Sequence, residues 1–256
     1  MTVSIYEDLW GSAKRLRFID AHLTRVSARS VLDIGCGTGR GVSIPLAAAG
    51  YTVTGVDPHG PSIETGRSLS SAVSFVHGTL LDVHARRFDA VILSEVLEHL
   101  EDPERLLAQA VARVAPRGVL IVTVPNGYGP FECDQRFVAK LHLTPVLESA
   151  SAWVRAALGR ESRPVSAGSE DTSPHIQRFT LRRLGRLFAA QRLTIVERAA
   201  TTFASGPLVA YTIGRVPGFV RINVSLADRL PLVCVSGWMF ALSPAADRHP
   251  HIGATQ

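Results

Sequence analysis

The 256-residue sequence predicts an α/β fold: a doubly wound, mostly parallel sheet with helices on both faces. Two observations carry this. Short apolar runs alternate with helix-period segments through residues 30–124, and a glycine-rich turn, "VLDIGCGTGRG", closes the first of those runs. Strands joined through helices pair in parallel by right-handed crossovers, and buried parallel strands read as continuous apolar runs.

Taken in order, residues 4–25 read as a helix with Ile5, Leu9, Leu16, Ile19 and Leu23 as its apolar positions. Ser30–Ile34 reads as a strand, Gly41–Ala49 as a helix and Thr52–Val56 as a strand. Ile63–Leu69 is a short helix, Val73–His77 a strand and Phe88–Leu93 a buried strand. Pro103–Val114 follows as a helix and Gly118–Val124, "GVLIVTV", as another buried strand. The alternation stops at Pro125. Residues 126–175 form an insertion with a helical piece, Gln135–Leu158, and a polar stretch, "GRESRPVSAGSEDTSP", expected to be a mobile loop, either a lid hinge or a connector. Thr180–Ala190 then reads as a helix and Leu193–Ala199 as a strand. The apolar segment 203–235 is a second insertion, "SGWMFAL" a final strand, and "DRHPHIGATQ" a frayed tail. The whole chain, 1–256, is expected to be one domain, with 126–175 as lid and 203–235 as a substrate-side or interface wall.

Composition narrows the function classes. Apolar residues make up 46% and charged residues 19%, which fits a soluble globular protein. Net charge is +5, but the basic residues are scattered arginines with no block of the kind that forms a nucleic-acid tail, so a nucleic-acid partner is not expected. Cys36, Cys133 and Cys234 have neither metal-ligand spacing nor a disulfide framework, so a reducing cytoplasm is expected. The first residues lack a signal-peptide pattern, and no apolar run reaches the about 20 residues that span a bilayer.

The glycine turn carries the first functional signal. Gly35, Gly37 and Gly39 can adopt φ > 0 and admit close approach of a ligand to the backbone. Such a turn at the carboxyl end of a first parallel strand binds a dinucleotide or an adenosyl ligand. Here the spacing is G-x-G-x-G, and Arg40 stands where the dinucleotide fingerprint has its third glycine. Asp33, two residues before the first glycine, ill suits a pyrophosphate and suits a ligand with an amino group and a sulfonium. Asp57, ending "VTGVDP", stands where a carboxylate accepts ribose hydroxyls. An NAD-dependent oxidoreductase is therefore disfavoured.

The blocks "VLDIGCGTG", "VTGVDP" and "FDAVILSEVLEHLEDPERLLAQAVARVAPRGVLIVTVPN", and more loosely "HIQRFTLRRLGRLFAAQRLTIVE", resemble the class I S-adenosylmethionine-dependent methyltransferases, which have a Rossmann-like fold. The resemblance implies that Asp33 and the Gly35–Gly39 backbone, with Cys36, hold the methionine part of S-adenosylmethionine, and that Asp57 and Pro58 hold the ribose. The adenine-binding acid of such enzymes is replaced by Thr79 in "HGTLLD", with Asp82 three residues on, so either serves; Leu80 between them and Ser94 at the sheet edge complete the implied cofactor set.

After Ser94 comes "SEVLEHLEDP". If Glu95–Leu100 is helical, Glu95, Glu98 and His99 share one face at i, i+3 and i+4. Three roles are open: a solvated helix start; acid–base work by His99 on an acceptor hydroxyl; or a divalent metal site, Mg or Zn, formed by Glu95, Glu98, His99 and the distant His175 of "SPHIQRFT". His99 and His175 are the catalytic candidates. This E-x-x-E-H pattern with a distant histidine resembles ubiquinone-type O-methyltransferases and small-RNA terminal 2′-O-methyltransferases.

The implied reaction is O-methylation of a small-molecule, glycan or lipid-linked acceptor. The alternatives are RNA 2′-O-methylation, which lacks an aromatic and basic platform here, and a non-catalytic S-adenosylmethionine-binding partner subunit. Asn126 and Tyr128 are candidates to touch donor or acceptor, or form only a turn. The apolar segment 203–235 leaves open a peripheral membrane contact, a homodimer face or extra core.

Overall fold

The computed structural model describes residues 7–84, 86–149, 175–214 and 216–245. The expected polar loop 159–174, the later part of the helical piece 135–158 and the whole of the expected tail lie outside the described residues.

Seven strands form one sheet: β1 (Ser30–Ile34), β2 (Thr52–Asp57), β3 (Val73–His77), β4 (Phe88–Ser94), β5 (Val114–Pro125), β6 (Leu193–Ala200) and β7 (Gly237–Pro244). Their order is β3-β2-β1-β4-β5-β7-β6. The β1–β2, β1–β4, β2–β3 and β4–β5 pairs are parallel, and β7 runs antiparallel to both its neighbours. The doubly wound, mostly parallel sheet is thus as the sequence predicts.

Side-chain alternation divides the core. Val31, Ala90, Ile92, Val119, Ile121 and Met239 point to one face, where they meet Leu16, Ile19 and Leu23 of α1 (Ser12–Arg25), Leu46 of α2 (Ser43–Ala48) and Ile63 of α3 (Gly60–Leu69). Leu32, Val91, Leu93, Leu120, Val122 and Phe240 point to the other, against Leu107 of α4 (Pro103–Ala112) and Leu184 and Phe188 of the helix Leu181–Ala190. Burial on both faces is why β4 and β5 read as unbroken apolar runs.

The first helix is shorter than expected. Asp8 accepts the backbone N–H groups of Trp10 (3.0 Å) and Ser12 (2.9 Å), and Gly11 is left-handed at φ 73°, so the chain turns where the apolar spacing suggested continuous helix. The helix expected over Gly41–Ala49 spans Ser43–Ala48, and the one expected over Pro103–Val114 stops at Ala112, with Val114 already in β5.

Beyond β5, α5 (Pro130–Lys140) opens the first insertion, and residues 144–149 are helical. The helix Leu181–Ala190 is α6, N-capped by Thr180, whose Oγ1 accepts the Arg183 N–H at 3.2 Å. The second insertion comprises α7 (Pro207–Tyr211), α8 (Pro217–Ala227) and a 3₁₀ turn, Leu232–Cys234. Asp134 of α5 accepts the Leu208 N–H at 3.0 Å, so the first turn of α7 is held by a side chain of the other insertion. Among the described residues no helix is long and apolar enough to cross a membrane.

Candidate active site

The parallel strands β1, β2 and β4 end at the same edge of the sheet, which puts Gly35–Gly39, Asp57 and Ser94 there. The glycine turn is stitched to the neighbouring strand: the Gly35 and Cys36 N–H groups donate to the Val56 carbonyl at 2.8 and 3.2 Å. Gly35, Gly37 and Gly39 all have positive φ (72°, 53° and 74°), the freedom for which glycine is needed. At Gly35 space matters too, because a Cβ there would lie 2.5 Å from Val96 Cγ2.

Asp57 closes the turn from the side. One carboxylate oxygen accepts the Gly37 N–H and the other the His59 N–H, both at 2.8 Å. The side chain is thereby fixed at the end of β2, with its remaining lone pairs at the turn. The Pro58 carbonyl lies 3.2 Å from His77 Nε2. Asp33 lies below, buried, accepting the Ser43 hydroxyl at 2.5 Å. Burial pushes its carboxyl up to about 7, against the opposing effect of the Ser43 bond and with a smaller push from the negative charge of Asp57. Burial likewise raises the half-buried Cys36 thiol, helped by Asp33 and Asp57, so this cysteine stays protonated.

Thr79 and Asp82, which the sequence offered as alternatives, form one unit. Asp82 accepts the Thr79 N–H (2.8 Å) and hydroxyl (3.1 Å), which hold its exposed carboxyl below the usual range. Leu80 is buried in the core, and its carbonyl, with those of Val83 and His84, accepts from the Arg113 guanidinium at 2.9, 3.2 and 2.6 Å. Arg113, just past α4, thus clamps the turn after β3.

The segment "SEVLEHLEDP" is not the α-helix expected. Glu95 is left-handed at φ 57°, and only Leu97–His99 form a turn, of 3₁₀ type. The i, i+3, i+4 face therefore does not exist. Glu95 turns to the α1 side, where Thr123 Oγ1 donates to its carboxylate at 2.6 Å and Arg15 Nη1 stands 3.6 Å away. Arg15 also donates to Ser94 Oγ at 3.3 Å, and Ser94 Oγ lies 3.2 Å from Thr123 Oγ1.

Glu98 goes the other way, into the protein. It is fully buried, and neither carboxylate oxygen has a hydrogen-bond partner. Its pKa is pushed well up, first by burial and then by the nearby Glu95 charge, with Arg15 opposing and Glu132 adding to the rise. The Glu98 carbonyl accepts the backbone N–H groups of both Ile176 and Gln177 at 2.9 Å. That anchor brings His175 to His99: their rings are 5.0 Å apart at 68°.

One ligand atom each from Glu98, His99 and His175 lie within 4.8 Å of one another. Of the four metal-site candidates, the structure brings together these three and sends Glu95 elsewhere. A carboxylate and two imidazoles are a fitting donor set for a divalent cation, and the two orphaned Glu98 oxygens are what such a cation satisfies.

Asn126 proves structural. Its amide donates to the Val233 and Val235 carbonyls at 3.1 and 2.9 Å and its oxygen accepts the Tyr128 N–H at 3.2 Å, tying β5 to the second insertion. Tyr128 is exposed, with the Arg136 guanidinium 5.8 Å from its ring. Three residues went unnoticed in the sequence: Arg15 and Arg113, lost among many arginines, and Glu132 of α5, whose carboxylate accepts His175 Nδ1 at 2.7 Å. The only sequence signal for Glu132 is its i, i+4 spacing to Arg136.

Comparison with known proteins bears on the family and the fold. Residues 12–198 match the family described as a methyltransferase domain. Ubiquinone biosynthesis O-methyltransferases are similar over part of the chain. That of Rickettsia felis is 31% identical over 113 residues, 42% of this chain and 46% of the relative. That of Actinobacillus pleuropneumoniae is 32% identical over 123 residues, 44% and 52% of the two chains. The chain thus spans about half the length of the curated relatives it matches. Among solved structures, the CcbJ methyltransferase of Streptomyces caelestis superimposes with a TM-score of 0.56 at 18% identity, over 92% of this chain and 90% of the other. The magnesium protoporphyrin IX methyltransferase of Synechocystis, solved with bound S-adenosylhomocysteine, gives 0.50 at 15% identity, over 91% and 87%. The chain belongs to the methyltransferase domain family and has the class I fold of the S-adenosylmethionine-dependent methyltransferases.

Proposed function

We propose that this chain methylates oxygen: it transfers the methyl group of S-adenosylmethionine to a hydroxyl of a small-molecule or lipid-linked acceptor. The observation that carries this reading is the Glu98–His99–His175 cluster just past the carboxyl end of β4, with Glu98 fully buried and the neighbouring Val96 packed on Gly35 of the glycine loop. The Rickettsia relatives bear the name of O-methyltransferases, which points the same way.

The chemistry asks the protein for positioning above all. Transfer from a sulfonium is an in-line displacement, favoured when donor and acceptor are held at near-attack distance with water excluded. Asp57 and the Gly35–Gly39 backbone would hold the donor, the Thr79–Asp82 turn lies where adenine is expected, and the electrophilic methyl is what the donor supplies. A hydroxyl acceptor must also lose its proton. Without a cation, His99 or His175, whose rings lie 5.0 Å apart, would be the base that takes it. Glu98, His99 and His175 would hold a divalent cation, whose chemistry at such a set is to acidify a coordinated hydroxyl.

The lipid-linked class is favoured by the wall of the second insertion. Ile213, Val216, Ile222 and Val233 are exposed there and would supply the apolar surface that a lipid chain covers. The test is transfer of an isotope-labelled methyl group from S-adenosylmethionine into fractionated metabolite and lipid extracts, with and without chelator. Label in an alkali-stable ether that vanishes with chelator or in His175→Ala supports the reading. Label on nitrogen or carbon, or turnover indifferent to both treatments, overturns it.

A further inference from the structure

Glu132 has no part in the chemistry above, yet among the described residues it is one of four buried carboxylates, with Asp33, Asp57 and Glu98. It sits in the first turn of α5, where the helix N-terminus favours negative charge. One of its oxygens accepts His175 Nδ1 at 2.7 Å, and the other lies 3.6 Å from Arg136 Nη2. Arg136 is itself fixed, donating from Nη2 to the Gly127 carbonyl at 2.8 Å. Phe131 adds a ring 6.1 Å from that of His175. The imidazole is therefore held by a carboxylate that stands beside a guanidinium, itself anchored to the Gly127 carbonyl just past β5.

A buried carboxylate facing one ring nitrogen of a histidine does a definite thing. It accepts the Nδ1 proton, which fixes the tautomer, leaves the Nε2 lone pair as the available donor and makes that nitrogen more basic. The backbone anchor at Glu98 already fixes where residue 175 lies; what it leaves open is the orientation of the ring. We propose that Glu132 is the positioning residue of this site, holding His175 in the Nδ1–H tautomer so that Nε2 is presented to a divalent cation shared with Glu98 and His99. The proposal rests on the metal reading given above, and it adds a residue that the Glu-x-x-Glu-His pattern does not contain.

The experiment uses the full chain and Co(II) as the probe. Long-range ¹H–¹⁵N correlation of the imidazoles, without metal, reports the tautomer of His175, assigned by its loss in His175→Ala. Calorimetric titration with Co(II), followed by its visible absorption, reports the donor set. In the wild type His175 is expected as the Nδ1–H tautomer. Glu132→Gln, whose amide oxygen still accepts that proton, is expected to keep the tautomer and bind Co(II) about 10-fold more weakly; Glu132→Ala is expected to lose the tautomer and bind about 100-fold more weakly. Unchanged Co(II) affinity in both variants overturns the role of Glu132 alone. Failure of the wild type to bind Co(II), or binding unaffected by His175→Ala, overturns the metal reading and the proposal with it. If Glu132→Ala does not fold, Glu132→Gln carries the same decision by its affinity.

Discussion

Gly35 and Val96 pack so closely that a single added carbon at position 35 would stand 2.5 Å from Val96 Cγ2. The cofactor loop and the acidic turn after β4 are thus one packed unit, although they lie far apart in sequence. Gly35→Ala combines this clash with a left-handed φ of 72°, a conformation that costs a side chain roughly 1–2 kcal/mol. The variant is expected to melt several degrees lower and to bind S-adenosylhomocysteine at least about 10-fold more weakly, checked by thermal scan and calorimetry. Unchanged affinity would separate the loop from the ligand.

Asp33 makes stability depend on pH. Its folded pKa, about 7, exceeds the ordinary 3.8, so between those values the folded chain keeps a proton that the unfolded chain releases. Its stabilisation is complete below pH 3.8 and is lost as the pH rises to about 7; the full shift corresponds to roughly 4 kcal/mol. Asp33→Asn is expected to flatten the fall in urea-unfolding free energy between pH 5 and 7 and to be the more stable form at pH 8. A slope equal to that of the wild type would show that the buried carboxyl is not what titrates.

Glu98 offers a metal-linked stability signal. A cation that binds only the folded chain raises the melting temperature, by about 2.7 kcal/mol of free energy at 100 times its dissociation constant. Mn(II) or Zn(II) is expected to raise the melting temperature of the wild type and to leave that of Glu98→Gln nearly unmoved. An equal rise in both would place the ion elsewhere.

Arg113 should report on the adenine side. Arg113→Ala removes the donor to three carbonyls of residues 80–84, and each lost bond costs on the order of 1 kcal/mol. The expected result is a lower melting temperature together with a weakened affinity for S-adenosylhomocysteine. A loss of stability with full affinity would uncouple this turn from the ligand.

Much of this was legible in the sequence, for physical reasons. The strands of the parallel sheet are buried on both faces, so β4 and β5 announce themselves as apolar runs, and the three glycines mark a turn that side chains would strain. What was not legible depends on tertiary structure. Apolar spacing cannot register the Asp8 turn that delays α1, nor the left-handed Glu95 that breaks the expected helix and sends its carboxylate to Thr123 and Arg15. His175 could be suspected from its residue type, but Glu132 could not, because a glutamate becomes a partner of a histidine only when α5 is laid beside residue 175.

The most direct measurement is calorimetric titration of the purified full chain with S-adenosylhomocysteine and, separately, with NAD, repeated on Asp57→Ala. Asp57 accepts the Gly37 and His59 N–H groups at 2.8 Å, so its loss disturbs the loop and removes the carboxylate expected to take the ribose. The expected result is saturable binding of S-adenosylhomocysteine, weakened at least about 10-fold in the variant, and none of NAD. Tight binding of NAD, or no binding of S-adenosylhomocysteine by the wild type, would contradict the assignment.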